Sequence, residues 1–86
     1  MDEGVQNLAS ASYLRNLSKL FLDDNQLSPA AAFSLSQSQY LSQVTHLSLS
    51  FNSIGKTGLA EIANSAIFAK LTHLWVKQNG IEAEGV

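Results

Sequence analysis

One phrase is written three times in this chain: LSKLFLDDNQL from Leu17, VTHLSLSFNSI from Val44 and LTHLWVKQNGI from Leu71. The step from Leu17 to Val44 equals the step from Val44 to Leu71, and all three copies fit LxxLxLxxNx(L/I) with valine substituting for leucine in two places. A chain that repeats itself at a fixed interval of roughly 20 to 50 residues is built from copies of one small unit. No such unit can bury its apolar face alone, so each must stack on its neighbours.

The interval extends beyond the phrase. Gly4, Ala31 and Gly58 follow the same step, each holding the same place ahead of a phrase start, so every unit has a second half. In the third copy of that half, Leu59, Ile62, Ala63, Ile67 and Phe68 fall on one helical face. Their counterparts are Val5, Leu8, Ala9, Tyr13 and Leu14, then Ala32, Leu35, Ser36, Tyr40 and Leu41. Ser28-Pro29 supplies a helix start, with serine as N-cap and proline at the first helical position. Within the phrase, alternation at Leu20 and Leu22, Leu47 and Leu49, Leu74 and Val76 predicts short strands with one face buried. Strand followed by helix, repeated, makes an α/β chain with a parallel sheet under a helical layer. Strands sit about 4.8 Å apart and helices roughly 10 Å, so the stack is expected to curve with its strands on the concave side and its helices on the convex side.

At this point the chain resembles the leucine-rich repeats of the ribonuclease-inhibitor type. The length of the interval, from Leu17 to Val44, and the run Asn52-Ser53-Ile54-Gly55-Lys56-Thr57-Gly58-Leu59-Ala60 are similar to that subclass and its bacterial relatives. The resemblance implies a right-handed βα solenoid of about three repeats, forming one domain over residues 1–86. The repeats would run at about 1–16 (the helical half alone), 17–43, 44–70 and 71–86 (partial). It also implies a ladder of Asn25, Asn52 and Asn79, with amides turned inward to bond backbone groups at the bend after each strand. Met1 to Val5 is in phase with Glu82 to Val86, three intervals on, and neither end carries a distinct capping segment. The expectation is therefore a piece of a longer solenoid, or a small protein whose open ends meet a neighbour or another copy of itself.

Composition narrows the function. A formal charge of −2 with no cluster of lysine or arginine argues against nucleic acid and anionic membrane surfaces, both of which need a basic face. The absence of cysteine excludes disulfides, thiol catalysis and Cys-based zinc sites. The start MDEGVQNLAS lacks a signal-like apolar run and no stretch has transmembrane length, so a soluble, cytoplasmic protein is expected.

Side chains between the alternating leucines should lie on the concave face in three columns: Lys19, His46 and His73; Phe21, Ser48 and Trp75; Asp23, Ser50 and Lys77. Asp24, Phe51 and Gln78 follow at the rim. Phe21 and Trp75 cannot reach the core from these positions, and aromatic side chains are enriched at binding hot spots. They head the candidate protein-binding residues. His46 and His73 should sit side by side on adjacent strands, where double protonation is unfavourable; without a third ligand they make no zinc site. No acid is placed to orient either histidine, no GxSxG turn is present, and Gly55-Lys56-Thr57-Gly58 lacks the earlier glycine of a phosphate loop. The acids Glu61, Glu82 and Glu84 fall on the helical or loop side. No enzyme activity and no cofactor is expected. The favoured function is a module binding a protein partner through the concave sheet. The alternatives are a structural segment that stacks, or a regulator of an enzyme, which no residue specifically indicates.

Overall fold

The structure, a computed structural model, describes residues 2–80. The expectations for Glu82 and Glu84 and the phase match of Met1 with Glu82 lie outside the described residues. Three helices, α1 (Asp2–Ala9), α2 (Pro29–Ser36) and α3 (Gly55–Ala63), alternate with three strands, β1 (Lys19–Phe21), β2 (His46–Ser48) and β3 (His73–Trp75). The strands form one parallel sheet in the order β1-β2-β3. Lys19 pairs with His46 and His46 with His73, so the register shifts by one repeat per strand. Main-chain bonds carry that register past the strands: Leu22 N donates to Ser48 O (2.8 Å), Asp24 N to Ser50 O (3.0 Å) and Phe51 N to Lys77 O (2.7 Å). No helix among the described residues is long and apolar enough to cross a membrane.

The core lies between the sheet and the helices and is deepest in the middle repeat. Leu27, Ala31, Ala32, Leu35, Leu41, Val44, Leu47, Leu49 and Ile54 are all fully buried. Their counterparts in the outer repeats, including Leu14, Leu17, Leu22, Leu71, Leu74 and Val76, are only partly covered, because each has a packed neighbour on one side. Helices α2 and α3 meet closely at Gly58, where an added Cβ would lie 3.2 Å from Ala32 Cβ of α2, and 2.8 Å from Ile54 Cβ at the start of its own helix.

The Ser28-Pro29 start forms as its sequence predicts: Ser28 Oγ accepts from Ala30 N (3.3 Å). Its hydroxyl and main-chain N–H also donate to the Asp2 carboxylate, the latter at 2.9 Å. Those two bonds hold the Asp2 carboxyl below its ordinary value and tie the start of α1 to the start of α2.

The second half of each unit is not one continuous helix, which corrects the expectation of a single apolar face from Leu59 to Phe68. α1 and α3 are each followed by a separate 3-10 turn, Ser12–Leu14 and Ala66–Phe68. Serine makes the break after α2 and α3, whereas after α1 the position is Ala11, which caps nothing with its side chain. Ser38 Oγ donates to Ala9 O (2.5 Å) and Ser65 Oγ to Ser36 O (2.7 Å), each satisfying the last carbonyl of the preceding repeat's helix. The same oxygens accept from Tyr40 N (3.3 Å) and Ile67 N (3.2 Å), starting a new turn. The change of period rotates the face, so Tyr13 is 85% exposed while Phe68 is buried; Ala63, still within α3, is exposed too.

Candidate functional site: the outer face of the sheet

Alternation along three-residue strands turns Leu20, Leu47 and Leu74 toward the helices and leaves Lys19, Phe21, His46, Ser48, His73 and Trp75 on the opposite face. The parallel register then draws up two columns, Lys19-His46-His73 and Phe21-Ser48-Trp75. Four rings gather there. The His46 and His73 imidazoles stack at 4.3 Å between centroids with planes 7° apart. Trp75 lies 5.6 Å from His73 and 6.1 Å from His46, and Phe21 lies 6.2 Å from Trp75. Phe21 and Trp75 remain 59% and 43% exposed, a large apolar surface to leave in water.

Two threonines position the histidines. Thr45 Oγ1 donates to Ser18 O (3.2 Å) and lies 2.8 Å from His46 Nδ1; Thr72 Oγ1 donates to Thr45 O (3.1 Å) and lies 2.9 Å from His73 Nδ1. A hydroxyl has one hydrogen to give. With that hydrogen on the carbonyl, each threonine accepts from Nδ1–H, which assigns the tautomer and leaves Nε2 as the proton-accepting nitrogen. Partial burial, then the charge of His73, then that of Lys19, hold His46 below the ordinary histidine value.

Ser48 and Ser50, expected as exposed contact residues, are instead buried. The Ser48 hydroxyl donates to Asp23 Oδ1, which also accepts from Ser50 N (3.2 Å), and Ser50 Oγ accepts from Lys77 N (3.1 Å). Asp23 and Lys77 therefore flank serines that knit the third column together, and the serines offer little to a partner. Asp24, Phe51 and Gln78 are exposed and share a positive φ of 56°, 60° and 56°, the left-handed kink that ends each strand segment.

At the bend, Asn52 Oδ1 accepts from Asn25 N (2.8 Å) and Leu27 N (3.0 Å). Its Nδ2 donates to Leu22 O (3.0 Å), Leu49 O (2.9 Å) and Ser50 O (3.2 Å). Asn79 Oδ1 accepts from Ile54 N (3.1 Å) and its Nδ2 donates to Leu49 O (2.7 Å). Asn25 is exposed and bonds Asp23 O (3.0 Å), unlike its two buried counterparts.

Residues 41–63 match the family model described as Leucine Rich repeat. That segment is similar to a leucine-rich repeat, and the match covers it alone. It contains β2, the Asn52 bend and α3, including the fully buried Leu41, Val44, Leu47, Leu49 and Ile54. No curated protein and no solved structure matches the chain.

Some participants lay outside the sequence reasoning. Thr45 and Thr72 recur immediately before each histidine, a visible signal. Phe33, 53% exposed, lines a groove of 540 Å³ between the ends of α1 and α2 with Gln6, Gln37, Gln39 and Tyr40. The second aromatic patch thus faces away from the sheet. Arg15 turns its Nε back onto Ser12 O (3.2 Å).

Proposed function

We propose that the outer face of the sheet is the concave surface of a protein-interaction module and docks a protein partner on Trp75, Phe21, His46 and His73. The single observation carrying this reading is the gathering of four rings on one face, two of them large and about half exposed. Leucine-rich repeats generally mediate protein–protein interaction, and planar aromatic side chains give large contact area at little entropic cost. The same family is typically non-enzymatic, in keeping with histidines whose Nδ1 atoms are held by threonine hydroxyls where a catalytic base would have a carboxylate. Affinity capture with the native chain and with a folded Phe21→Ala, Trp75→Ala variant tests the reading. A partner retained by the first and lost by the second is expected. Identical capture by both, or capture by neither, overturns it.

A second reading is favoured by the end of the sheet. Leu71, Leu74 and Val76 are partly exposed, whereas Val44, Leu47 and Leu49 at the same repeat positions are fully buried. That difference supports stacking of a further layer on β3, in a longer ribonuclease-inhibitor-like solenoid or head to tail with a second copy. Light scattering over a concentration series tests self-stacking. A constant monomer mass removes it.

A further inference from the structure

On the docking face just proposed, the column Lys19-His46-His73 is chemically distinct from its neighbours. It consists of one permanent cation and two bases, in register across three strands. The threonine bonds fix Nδ1–H inward on both histidines, and neither Nε2 has a hydrogen-bond partner among the described residues. Both therefore present the nitrogen that takes up a proton. No acid stands in the column. The carboxylate nearest along the face, Asp23, is occupied by Ser48 Oγ and Ser50 N; Asp24 sits at the rim, and Lys77 lies beyond Trp75 on the β3 side. The chain carries −2 overall, so a basic column here is a local feature and not general basicity.

We propose that Lys19, His46 and His73 form a carboxylate-reading column whose occupant is an acidic, extended segment of the partner protein, with an apolar side chain laid on Trp75 and Phe21. The reading rests on the docking face proposed above and names its partner's chemistry. Parallel rings at 4.3 Å repel when both are protonated, with Lys19 adding to the repulsion. A carboxylate set across the two Nε2–H groups removes that repulsion and gains charge-assisted hydrogen bonds. Proton uptake and anion binding are thus coupled: each favours the other. A metal ion is a poor alternative. The lone pairs of parallel stacked rings do not converge on one point, and no group of three or more metal-ligating side chains exists among the described residues.

The test is NMR of the imidazole and indole resonances of the full chain with a blocked peptide alternating glutamate and leucine, its glutamine counterpart, and inorganic phosphate. The glutamate peptide is expected to shift His46, His73 and Trp75 together at about pH 6, and to bind about tenfold more weakly at about pH 7.5. His46→Gln with His73→Gln should abolish the pH dependence, while Trp75→Ala should weaken binding and leave the pH dependence intact. Equal binding of the glutamine peptide, pH-independent binding, no binding, or equal shifts with phosphate alone each overturn the acidic-segment reading. Should the peptide fail while partner capture still depends on Phe21 and Trp75, the docking face stands and only its proposed chemistry falls.

Discussion

Replacing Asn52 should damage this fold more than replacing almost any other polar residue, and the cost follows from its bonds. Alanine removes two accepted hydrogen bonds and the two amide hydrogens shared among three carbonyls. They are not equally costly. Leu49 O keeps the Asn79 amide at 2.7 Å and Ser50 O keeps Asp24 N at 3.0 Å, so both carbonyls stay satisfied. Leu27 N is the buried donor whose bond goes to Asn52, and burying it unpaired costs about 1–3 kcal/mol. Asn25 N and Leu22 O are only partly buried and regain water, at roughly 0.5–1 kcal/mol each. The total is about 2–5 kcal/mol, against roughly 4–13 kcal/mol for a chain of this length. In urea unfolding followed by the fluorescence of the single tryptophan, Asn52→Ala should lower the midpoint by about 1–3 M. Asn52→Asp sharpens the test. It retains the acceptor but points a second oxygen at Leu22 O, Leu49 O and Ser50 O, where only a protonated carboxyl can donate. Its folded-state value is thereby raised above the ordinary range of about 4. Stability should therefore be greatest below that range and be lost as pH rises through the folded value. A midpoint for Asn52→Ala within about 0.5 M of the native chain, or an Asn52→Asp chain no more stable in acid, would refute the inward-amide argument.

Leu47→Ala should cost about 2–5 kcal/mol through lost burial and a cavity, since Leu47 is fully buried in the central strand; an unchanged urea midpoint would contradict that. Gly58→Ala sets about 1 kcal/mol of gained helix propensity against a Cβ 2.8 Å from Ile54 Cβ, which is no flexible tip. Overpacking of this kind costs roughly 1–3 kcal/mol, so a lower melting temperature is expected, and a higher one would show that Ile54 and Ala32 give way at little cost. His46 lies below its ordinary value of 6.5, first through desolvation, so the unfolded chain binds the proton more readily. Stability should hold above about pH 6.5 and decline as pH falls from there to the folded value. Thermal melts should show this decline for the native chain and a smaller one for His46→Asn; equal declines would mean that other groups cause it.

The repeat interval made the sheet legible because parallel register simply adds one interval to each residue number, and Lys19-His46-His73 and Phe21-Ser48-Trp75 align on that basis. What periodicity could not supply was depth and phase. Ser48 and Ser50 occupy face positions but are buried, because their short side chains sink between larger neighbours and bond Asp23 and Lys77. Tyr13 matched an apolar helical position, yet the chain had already changed to a 3-10 turn. Ser38 and Ser65, one interval apart, were the available signal for the same break after α2 and α3, and Ala11 at that position in the first unit gave none. Their role is visible only once the helix carbonyls they cap are located in the preceding repeat.

Positions that recur unchanged and positions that vary do different physical work here. Leu20, Leu47 and Leu74 repeat because the same hole recurs behind each strand; Asn52 and Asn79 repeat because the same backbone groups need partners at each bend. The outward columns are under neither demand, so their chemistry is free to differ between neighbours. Phe21 and Trp75 show what that freedom produces. Two strands apart, their backbones are separated by about 9.6 Å, yet their rings are 6.2 Å apart, so the side chains lean together over Ser48. A bulky residue at position 48 would hold them apart. The aromatic surface is therefore a property of three successive repeats and not of either aromatic alone: Ser48→Phe should disperse it without touching Phe21, Trp75 or the leucines beneath.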